Sequence, residues 1–431
     1  MQTQKQGKAP YPKTQETLLV LSQVYVPDPA SVGQHMADAA EEMAQRGWQV
    51  RVYTANRGYD DPNITYTSHE NLNGVDVRRL PFSSFGKKNL AFRLAGQLSF
   101  LFQCILRGVF IKNLAGIFIT TSPPMGSMAA LAIGFFRRVP IKYWVMDLNP
   151  DQALALGKLE PGSLLVKGMN WLNLKILGRA DNIIVLDRFM AERILLKRQV
   201  QKKISIMPPW PMEGYLEVIP HEKNPFRKDH KLDGRFVFMY SGNHSPAHPL
   251  TTLLEAALRL RDREDIIFIF IGGGMGKKEV EAVISEHRPN NIISLPYQPL
   301  DKIKYSLSAA DIHLVAMGNE MVGCVHPCKA YGAMSLGKPI LLIGPDPCHI
   351  SELIATYQIG WQISHGNVEQ AVKTIQQIVS CNPEILAEKG RRAADAVQNT
   401  LSKAALCKQF CDVLEQGLHR KTVTAQAAIL E

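Results

Sequence analysis

The sequence predicts an α/β protein of two Rossmann-like, doubly wound domains that face each other across a cleft. Three observations predict it. Apolar strand-like runs alternate with helix-periodic segments, a pattern that builds parallel sheets with helices on both faces. The series occurs twice, on either side of "MPPWPMEGYLEVIPHEKNPF" (207–226), a proline-crowded stretch that reads as an interdomain connection. At 431 residues, the chain is also too long for one ordinary core.

In order, "TLLVLSQVY" (17–25) reads as a buried strand, and a helix from about Val32 to Arg46 is stopped by Gly47. "WQVRVYTA" is the next strand, and "YTSHENLNGVDVRRLP" alternates like a hairpin turning at Asn73-Gly74. "GIFITTS", "IKYWVMD" and "NIIVLD" continue the first series. The second comprises "RFVFMYSG", "DIIFIFIGGG", "NIISLPY", "DIHLVAM", "PILLIG" and "GWQIS". The expected organisation is a disordered segment at 1–16, a first domain at 17–207 and a linker at 208–226. A second domain follows at 227–398, then a helix at 399–418 and a tail at 419–431, the C-terminal helices packing near the interdomain region.

Composition narrows the class. Hydrophobic content of 46% and charged content of 20% belong to a globular protein. The polar, Lys-bearing start predicts no secretory signal. The longest apolar stretch, 90–111, is broken by Arg93, Gln97, Gln103 and Arg107, so no membrane span is expected. That helix reads as core packing, in preference to lying on a membrane. Seven cysteines, an odd number, predict a reducing cytoplasm rather than a disulfide scaffold. "CVHPC" (Cys324, His326, Cys328) has no second ligand pair nearby, and no metal is expected there. Residues 1–220 hold 26 Lys and Arg against 17 Asp and Glu, nearly the whole net charge of +10. The first half is therefore expected to face something anionic. A membrane surface, contacted peripherally at its inner face, or a phosphorylated lipid suits it better than nucleic acid, for which no reading motif is present.

Ligands on doubly wound sheets bind at the carboxyl ends of the strands, so the polar strand ends hold the candidates. "YSGNHSPAHP" offers Gly242 and Asn243 at a turn, with His244 and His248 before a helix whose free N–H groups suit an anion. A capped turn without ligand is the plain alternative. "GGGMGKK" matches neither common nucleotide loop: Gly273 and its neighbours equally serve to turn the chain, with Lys277 and Lys278 solvated. Lys329, in the first turn of the helix in "HPCKAYGAMSLGKP", opposes the helix dipole unless an anion meets it. An exposed Lys paired with a carboxylate is the alternative. In the first half, Gly33, Gln34 and His35 enter a helix, His35 facing either a substrate hydroxyl or solvent. Asp147 and Asp151 end the strand "IKYWVMD" and its turn, where they orient an acceptor, take a proton or cap a helix.

Together these segments resemble the GT-B glycosyltransferases, specifically glycosyltransferase family 4 and its relatives that build bacterial surface polysaccharides. The resemblance runs from about Leu18 to Leu418 and rests on the order and spacing of "GQHMADAAEEMAQRGWQVRVYT", "VMDLNPDQALALG", "YSGN", "LLEAA", "FIFIGGG", "LPYQP", "AADIHLVAM" and "HPCKAYGAMSLGKPIL". It implies transfer of a sugar from a nucleotide diphosphate-sugar (UDP or GDP type) to a glycan or lipid-linked acceptor, with retention and no cofactor or metal in the chemical step. The first domain would bind acceptor and the second the nucleotide sugar. Catalytic roles would fall to His35, Asp147 and Lys329, and acceptor contacts to Gly33, Gln34 and Asp151. The donor would meet Gly242, Asn243, His244, His248, Gly273, Tyr297, Glu320, Gly323, His326 and Lys329. One departure stands out: the two glutamates that many relatives carry eight positions apart fall at Cys324 and Gly332. A non-catalytic nucleotide- or partner-binding protein and a nucleotide-sugar epimerase are the alternatives.

Overall fold

A computed structural model describes residues 14–28, 30–58, 61, 63–83, 90–211 and 217–418. The first lobe is an eight-stranded sheet: β1 (Thr17–Leu21), β2 (Gln49–Ala55), β3 (His69–Leu72), β4 (Val75–Leu80), β5 (Leu114–Thr120), β6 (Ile141–Val145), β7 (Asn182–Val185) and β8 (Ile204–Ile206). Their order is β3-β4-β2-β1-β5-β6-β7-β8, with only the β3–β4 pair antiparallel. That hairpin turns at Asn73 and Gly74, both at positive φ. The second lobe is a six-stranded parallel sheet of β9 (Phe236–Ser241), β10 (Ile266–Ile271), β11 (Ile292–Leu295), β12 (Ile312–Ala316), β13 (Ile340–Ile343) and β14 (Gly360–Ile363), in the order β11-β10-β9-β12-β13-β14. "TLLVL" and "IIFIFI" are buried along their whole length, because helices cover both faces of each sheet.

The first lobe's helices are α1 (Ser31–Gln45), α2 (Leu90–Val109), α3 (Ser127–Arg137), α4 (Asp151–Ala155), α5 (Leu164–Arg179) and α6 (Arg188–Lys197). The second series runs α7 (Pro225–Asp229), α8 (Thr251–Arg259), α9 (Lys277–His287), α10 (Ile303–Ser308), α11 (Lys329–Ser335), α12 (His349–Tyr357), α13 (Val368–Ser380), α14 (Pro383–Asn399) and α15 (Lys403–Glu415). The last of these crosses back to the first lobe. Arg46, buried at the end of α1, bonds Asp412 (2.7 Å) and Glu415 (2.9 Å) of α15 as well as Glu42 (2.8 Å). Lys403 meets Asp38 at 2.7 Å, and the Trp48 indole donates to Glu415 at 2.7 Å. One apolar core accordingly runs from the first sheet through Phe410 and Leu414 to Tyr331 and Met334 of the second lobe.

Four expectations change. Residues 14–16 are ordered: the Thr14 N–H donates to Gly47 at 2.9 Å and Glu16 is buried. The remainder of the expected disordered segment and the tail at 419–431 lie outside the described residues. The linker is anchored at both ends, with Trp210 buried against the first lobe and Phe226, in α7, buried in the second. Strand β8 went unread because three residues, "ISI", are too few to show a period. Helix α2 is not enclosed: Phe100, Leu101 and Cys104 are buried, while Leu98, Phe102 and Leu106 are exposed.

Arg46→Met should lower unfolding free energy by about 2–4 kcal/mol, because three carboxylates lose their shared cation. Urea unfolding should show the midpoint fall with the slope unchanged; an unmoved midpoint would mean that α15 is held by its apolar face alone.

Candidate functional site

The second sheet reverses its winding between β9 and β12, and the crevice at such a switch point is where open α/β sheets bind ligands. Two loops meet there. The Gly242 N–H continues the ladder to Ile271 at 3.0 Å, the His244 N–H donates to the Gly273 carbonyl at 2.7 Å, and the Gly276 N–H donates to the His244 carbonyl at 2.7 Å. The packing leaves no room for side chains: a methyl group on Gly272 would fall 2.0 Å from the Gly242 oxygen, and one on Gly274 would fall 2.3 Å from Asn243 Oδ1. Tyr297, at the end of β11, lies against Gly273. The expected donor residues Gly242, Asn243, His244, Gly273 and Tyr297 are thus brought together.

Lys329 reaches into this group. Its ammonium lies 3.6 Å from the centroid of the Tyr240 ring and 3.6 Å from where a Cβ on Gly242 would stand. It is shut away from solvent and has no hydrogen-bond partner among the described residues. His244 Nε2 and His248 Nδ1 are buried and unpartnered in the same way. Their protonation follows. Burial, with no carboxylate to oppose it, brings the Lys329 ammonium down to about 7. Burial and the Lys329 charge pull His248 to about 3, and burial with Lys277 and Lys329 pulls His244 to about 4. Three nitrogens that each take a proton readily in water are thus placed so that a proton on Lys329 disfavours one on either histidine. A diphosphate at the turn would oppose every one of these shifts.

The first lobe contributes less than expected. His35 is buried beneath the cleft, its Nδ1 2.8 Å from the Ser31 carbonyl and its Nε2 2.9 Å from the Trp210 carbonyl. Neither ring nitrogen is left for a substrate, so His35 is a core histidine. Gly33 lets α1 pack on the Tyr25 backbone, 3.1 Å from where its Cβ would be, and Gln34 follows it inside α1 rather than in a loop. Asp151 heads α4 and meets Lys197 of α6 at 2.8 Å; the N-cap is Pro150. Asp147 differs. Its side chain keeps exposed surface yet stands between the lobes, close enough to act on the Cys328 thiol beside Lys329, and the surrounding protein lifts its carboxyl to about 6.

Two further expected donor residues serve the lobe junction instead. Gly323, at φ +71°, presses on α6: a methyl group there would fall 2.5 Å from the Phe189 carbonyl oxygen. His326 Nδ1 lies 2.8 Å from Asp187 Oδ2 of the first lobe, and its Nε2 lies 3.1 Å from the Tyr331 hydroxyl, itself 2.8 Å from His349 Nε2. One proton assignment satisfies every bond with both rings neutral: His349 donates to Tyr331, Tyr331 to His326, and His326 to an ionised Asp187. Burial opposes that ionisation, but the His326 bond outweighs it and holds the carboxyl below its usual range. The carboxyl's other oxygen caps α6 through the Met190 N–H at 2.8 Å. Asp187, His326 and His349 have donor atoms within 4.8 Å of one another, as a metal would require, and the hydrogen-bond chain accounts for that closeness. Glu320 is exposed in a short turn, its carbonyl bonded by Arg193 at 3.0 Å.

Comparison with known proteins bears on this geometry. A family model described as "Glycosyl transferases group 1" matches residues 222–397, and one described as "Glycosyl transferase 4-like domain" matches residues 31–210. The chain belongs to the GT-B glycosyltransferases. The "Putative colanic acid biosynthesis glycosyl transferase WcaI" of Escherichia coli (strain K12) is 24% identical over 91% of this chain and 98% of its own. The "Probable glycosyltransferase WbjE" of Pseudomonas aeruginosa is 26% identical over 61% of this chain and 67% of its own. Among solved structures, Anabaena HepE in complex with UDP and glucose superposes with a TM-score of 0.69 at 14% identity, covering 93% of this chain and 99% of that one, a likeness of fold.

Two features of the glycosyltransferase escaped the sequence reading. Lys277 is buried and not solvated, its ammonium donating to the Phe270 (2.7 Å) and Leu295 (2.8 Å) carbonyls and pulled by burial to about 8. It braces the ends of β10 and β11 beneath the Gly273 loop; only its place directly after a glycine loop hints at this. Tyr240, the aromatic floor under Lys329, was legible as strand but not as cation partner. Gly332 sits inside α11 with open space before it, since a methyl group there would meet nothing within 4 Å. Gly332→Ala should therefore raise stability by about 0.5–1 kcal/mol, as glycine costs that much in a helix interior. A thermal midpoint that falls instead would show that the space is occupied.

Proposed function

We propose that the enzyme moves a sugar from a nucleoside diphosphate-sugar, of UDP or GDP type, to a glycan or lipid-linked acceptor in surface-polysaccharide synthesis, with retention and at the cytoplasmic side of the membrane. The observation that carries this reading is the desolvated ammonium of Lys329, without a hydrogen-bond partner among the described residues and close to the Gly242 turn, in a loop that also holds two unpartnered histidine nitrogens. The naming of WcaI for colanic acid synthesis and the UDP and glucose bound by HepE support the acceptor and donor classes.

The mechanism is electrostatic. As the bond from the anomeric carbon to the diphosphate oxygen breaks, negative charge gathers on the departing oxygens. Lys329 meets it in a dry setting where the interaction is strongest. The acceptor hydroxyl attacks the face that the diphosphate leaves, which preserves configuration. Its proton passes to the departing phosphate or to Asp147, whose raised carboxyl suits a transient base. Charge neutralisation comes from the chain's own cations, and no resident cofactor is invoked.

A second reading has one observation in its favour. Gly332 stands where many relatives hold the ribose with a carboxylate, which also fits a protein that binds nucleotide without turnover. Transfer assays with membrane extract separate the two. Lys329→Ala should cost about 2–4 kcal/mol of transition-state stabilisation, a rate loss of roughly thirty- to a thousandfold. Nucleotide binding without transfer by the unaltered protein would establish the second reading.

The same ammonium sets a pH dependence. Free Lys329 loses its proton near 7, and a bound diphosphate holds it. UDP or GDP affinity should therefore weaken as pH rises above about 7, with proton uptake on binding, by as much as tenfold per pH unit. Titration calorimetry in buffers of differing ionisation heat measures both. Lys329→Met should bind weakly and without the slope; a slope that survives in that variant would assign it to another group.

A further inference from the structure

The apolar surface on the outer side of the first lobe was not absorbed by the catalytic reading. Right-handed crossovers place α2, α3 and α5 side by side on one face of the sheet, with α1 and α15 on the other. The layer is continuous. A methyl group on Gly108 of α2 would fall 2.4 Å from Ile133 of α3, the Arg137 guanidinium ties α3 to the Val109 carbonyl at 2.6 Å, and Arg179 of α5 reaches the Val139 carbonyl at 3.0 Å.

The outward side of this layer is greasy. Along α2 the exposed residues Leu94, Leu98, Phe102 and Leu106 recur every four positions, forming one line, and Phe110 lies just beyond it. Beside them Phe135 and Phe136 of α3 are 76% and 66% exposed, and Leu165 and Trp171 of α5 are each 59% exposed. Apolar patches of this extent do not stay bare on a monomer.

Charge selects the occupant. None of the three helices contains an Asp or Glu, and between Asp76 and Asp147 the sequence has no acidic residue at all. The exposed cations on and beside the layer are Arg107, Lys112, Arg138, Lys167 and Lys175, the last over the Trp171 ring at 5.5 Å, and the exposed acids lie only at the ends of α5, Glu160 before it and Asp181, paired with Arg179, after it. An ordinary solvated helix face mixes both signs. A face whose helices are apolar and carry cations but no acid, with long cationic side chains beside aromatic rings, matches the boundary of an anionic bilayer. It matches neither a second copy of itself, whose like charges would repel, nor a neutral apolar groove.

We propose that the α2–α3–α5 face is a monotopic docking surface for anionic phospholipid. Its aromatic and aliphatic side chains enter the headgroup–acyl boundary and its lysines and arginines meet lipid phosphates. Among the described residues no helix is long and apolar enough to cross a membrane, so the contact lies on the bilayer surface. Each helix begins at the carboxyl end of the sheet. Docking therefore sets the mouth of the cleft beside the bilayer, whichever sugar the enzyme moves.

Sedimentation of the full chain with vesicles tests this without donor or acceptor. Binding is expected to phosphatidylglycerol–phosphatidylcholine vesicles at low salt, weakening with added salt, and not to phosphatidylcholine alone. The variant Phe102→Ser/Phe135→Ser/Phe136→Ser should lose at least about tenfold in partition. Lys112→Glu/Lys167→Glu/Lys175→Glu should lose binding at low salt as well, and both variants should keep the parent's thermal midpoint and nucleotide affinity. Trp171 fluorescence should be quenched by brominated lipid in the parent, and the quenching should shrink in Trp171→Phe. No vesicle binding, equal binding to neutral vesicles, or undiminished binding by the serine variant overturns the proposal. Concentration-dependent dimers lost in the serine variant would assign the face to a second copy and overturn it too.

Discussion

An ammonium buried without a counter-charge is costly, and the second lobe is arranged around one. Lys329 sits on the Tyr240 ring, whose negative face returns part of what desolvation takes away, and among the described residues no carboxylate bonds its ammonium. An acidic partner would have made the site more stable and useless, because the anion it awaits would then be displacing a salt bridge. The histidines deepen the effect. Held neutral by burial and by Lys329, they present nitrogens that gain protons only when negative charge arrives. Recognition of the proposed diphosphate would be a change of protonation as much as a fit of shape.

Such an arrangement must be held in place from outside, since no bond joins the three nitrogens to one another. Helix α11 begins with Lys329, and the Tyr331 hydroxyl two residues on is fixed by His326 and His349, with Asp187 of the first lobe at the end of the chain. Every member is satisfied with neutral rings, so the network adds rigidity without adding a further cation beside Lys329. Its Asp187 end also caps α6, which makes one carboxylate the junction between lobe contact and helix start. Helix α15 supplies the second tie, through Arg46 and the shared apolar core. The two lobes are thus joined at the rim of the cleft and at its back, while the Gly242 and Gly273 loops between them stay free of side-chain bulk.

What the sequence made legible were features carried by short runs of neighbouring residues. Fully apolar strands such as "IIFIFI" declare burial on both faces, and Asn73-Gly74 declares a hairpin because few other pairs adopt that turn. Lys329 was legible for a similar reason: a cation in a helix's first turn opposes the dipole locally. The misreadings came from long-range partners. His35 looks like a site residue until Trp210, 175 positions away, takes its second nitrogen. Gly323 and His326 lie within a few residues of Lys329, yet fold against Phe189 and Asp187, which no local pattern announces. Lys277 was read as solvated because the strand-end carbonyls that enclose it come from two separate strands.

Charge counting shows how the two kinds of anion differ. The excess of Lys and Arg lies almost wholly in the first half, which points there for an anionic partner. The proposed diphosphate site nevertheless sits in the nearly neutral second half. Both statements hold, because a bulk excess and a local site recognise different things. A spread of exposed cations acts over a Debye length and suits an extended anionic plane, losing strength as salt rises. Desolvated nitrogens act over a few ångströms in a dry pocket and suit one compact anion, with little screening. The first kind of site is read from composition and the absence of acids; the second adds almost nothing to a charge count, since its histidines are neutral and its lysine half-discharged near pH 7. An enzyme that takes its donor from solution and its acceptor from a membrane needs both, and the two proposed sites lie on different lobes.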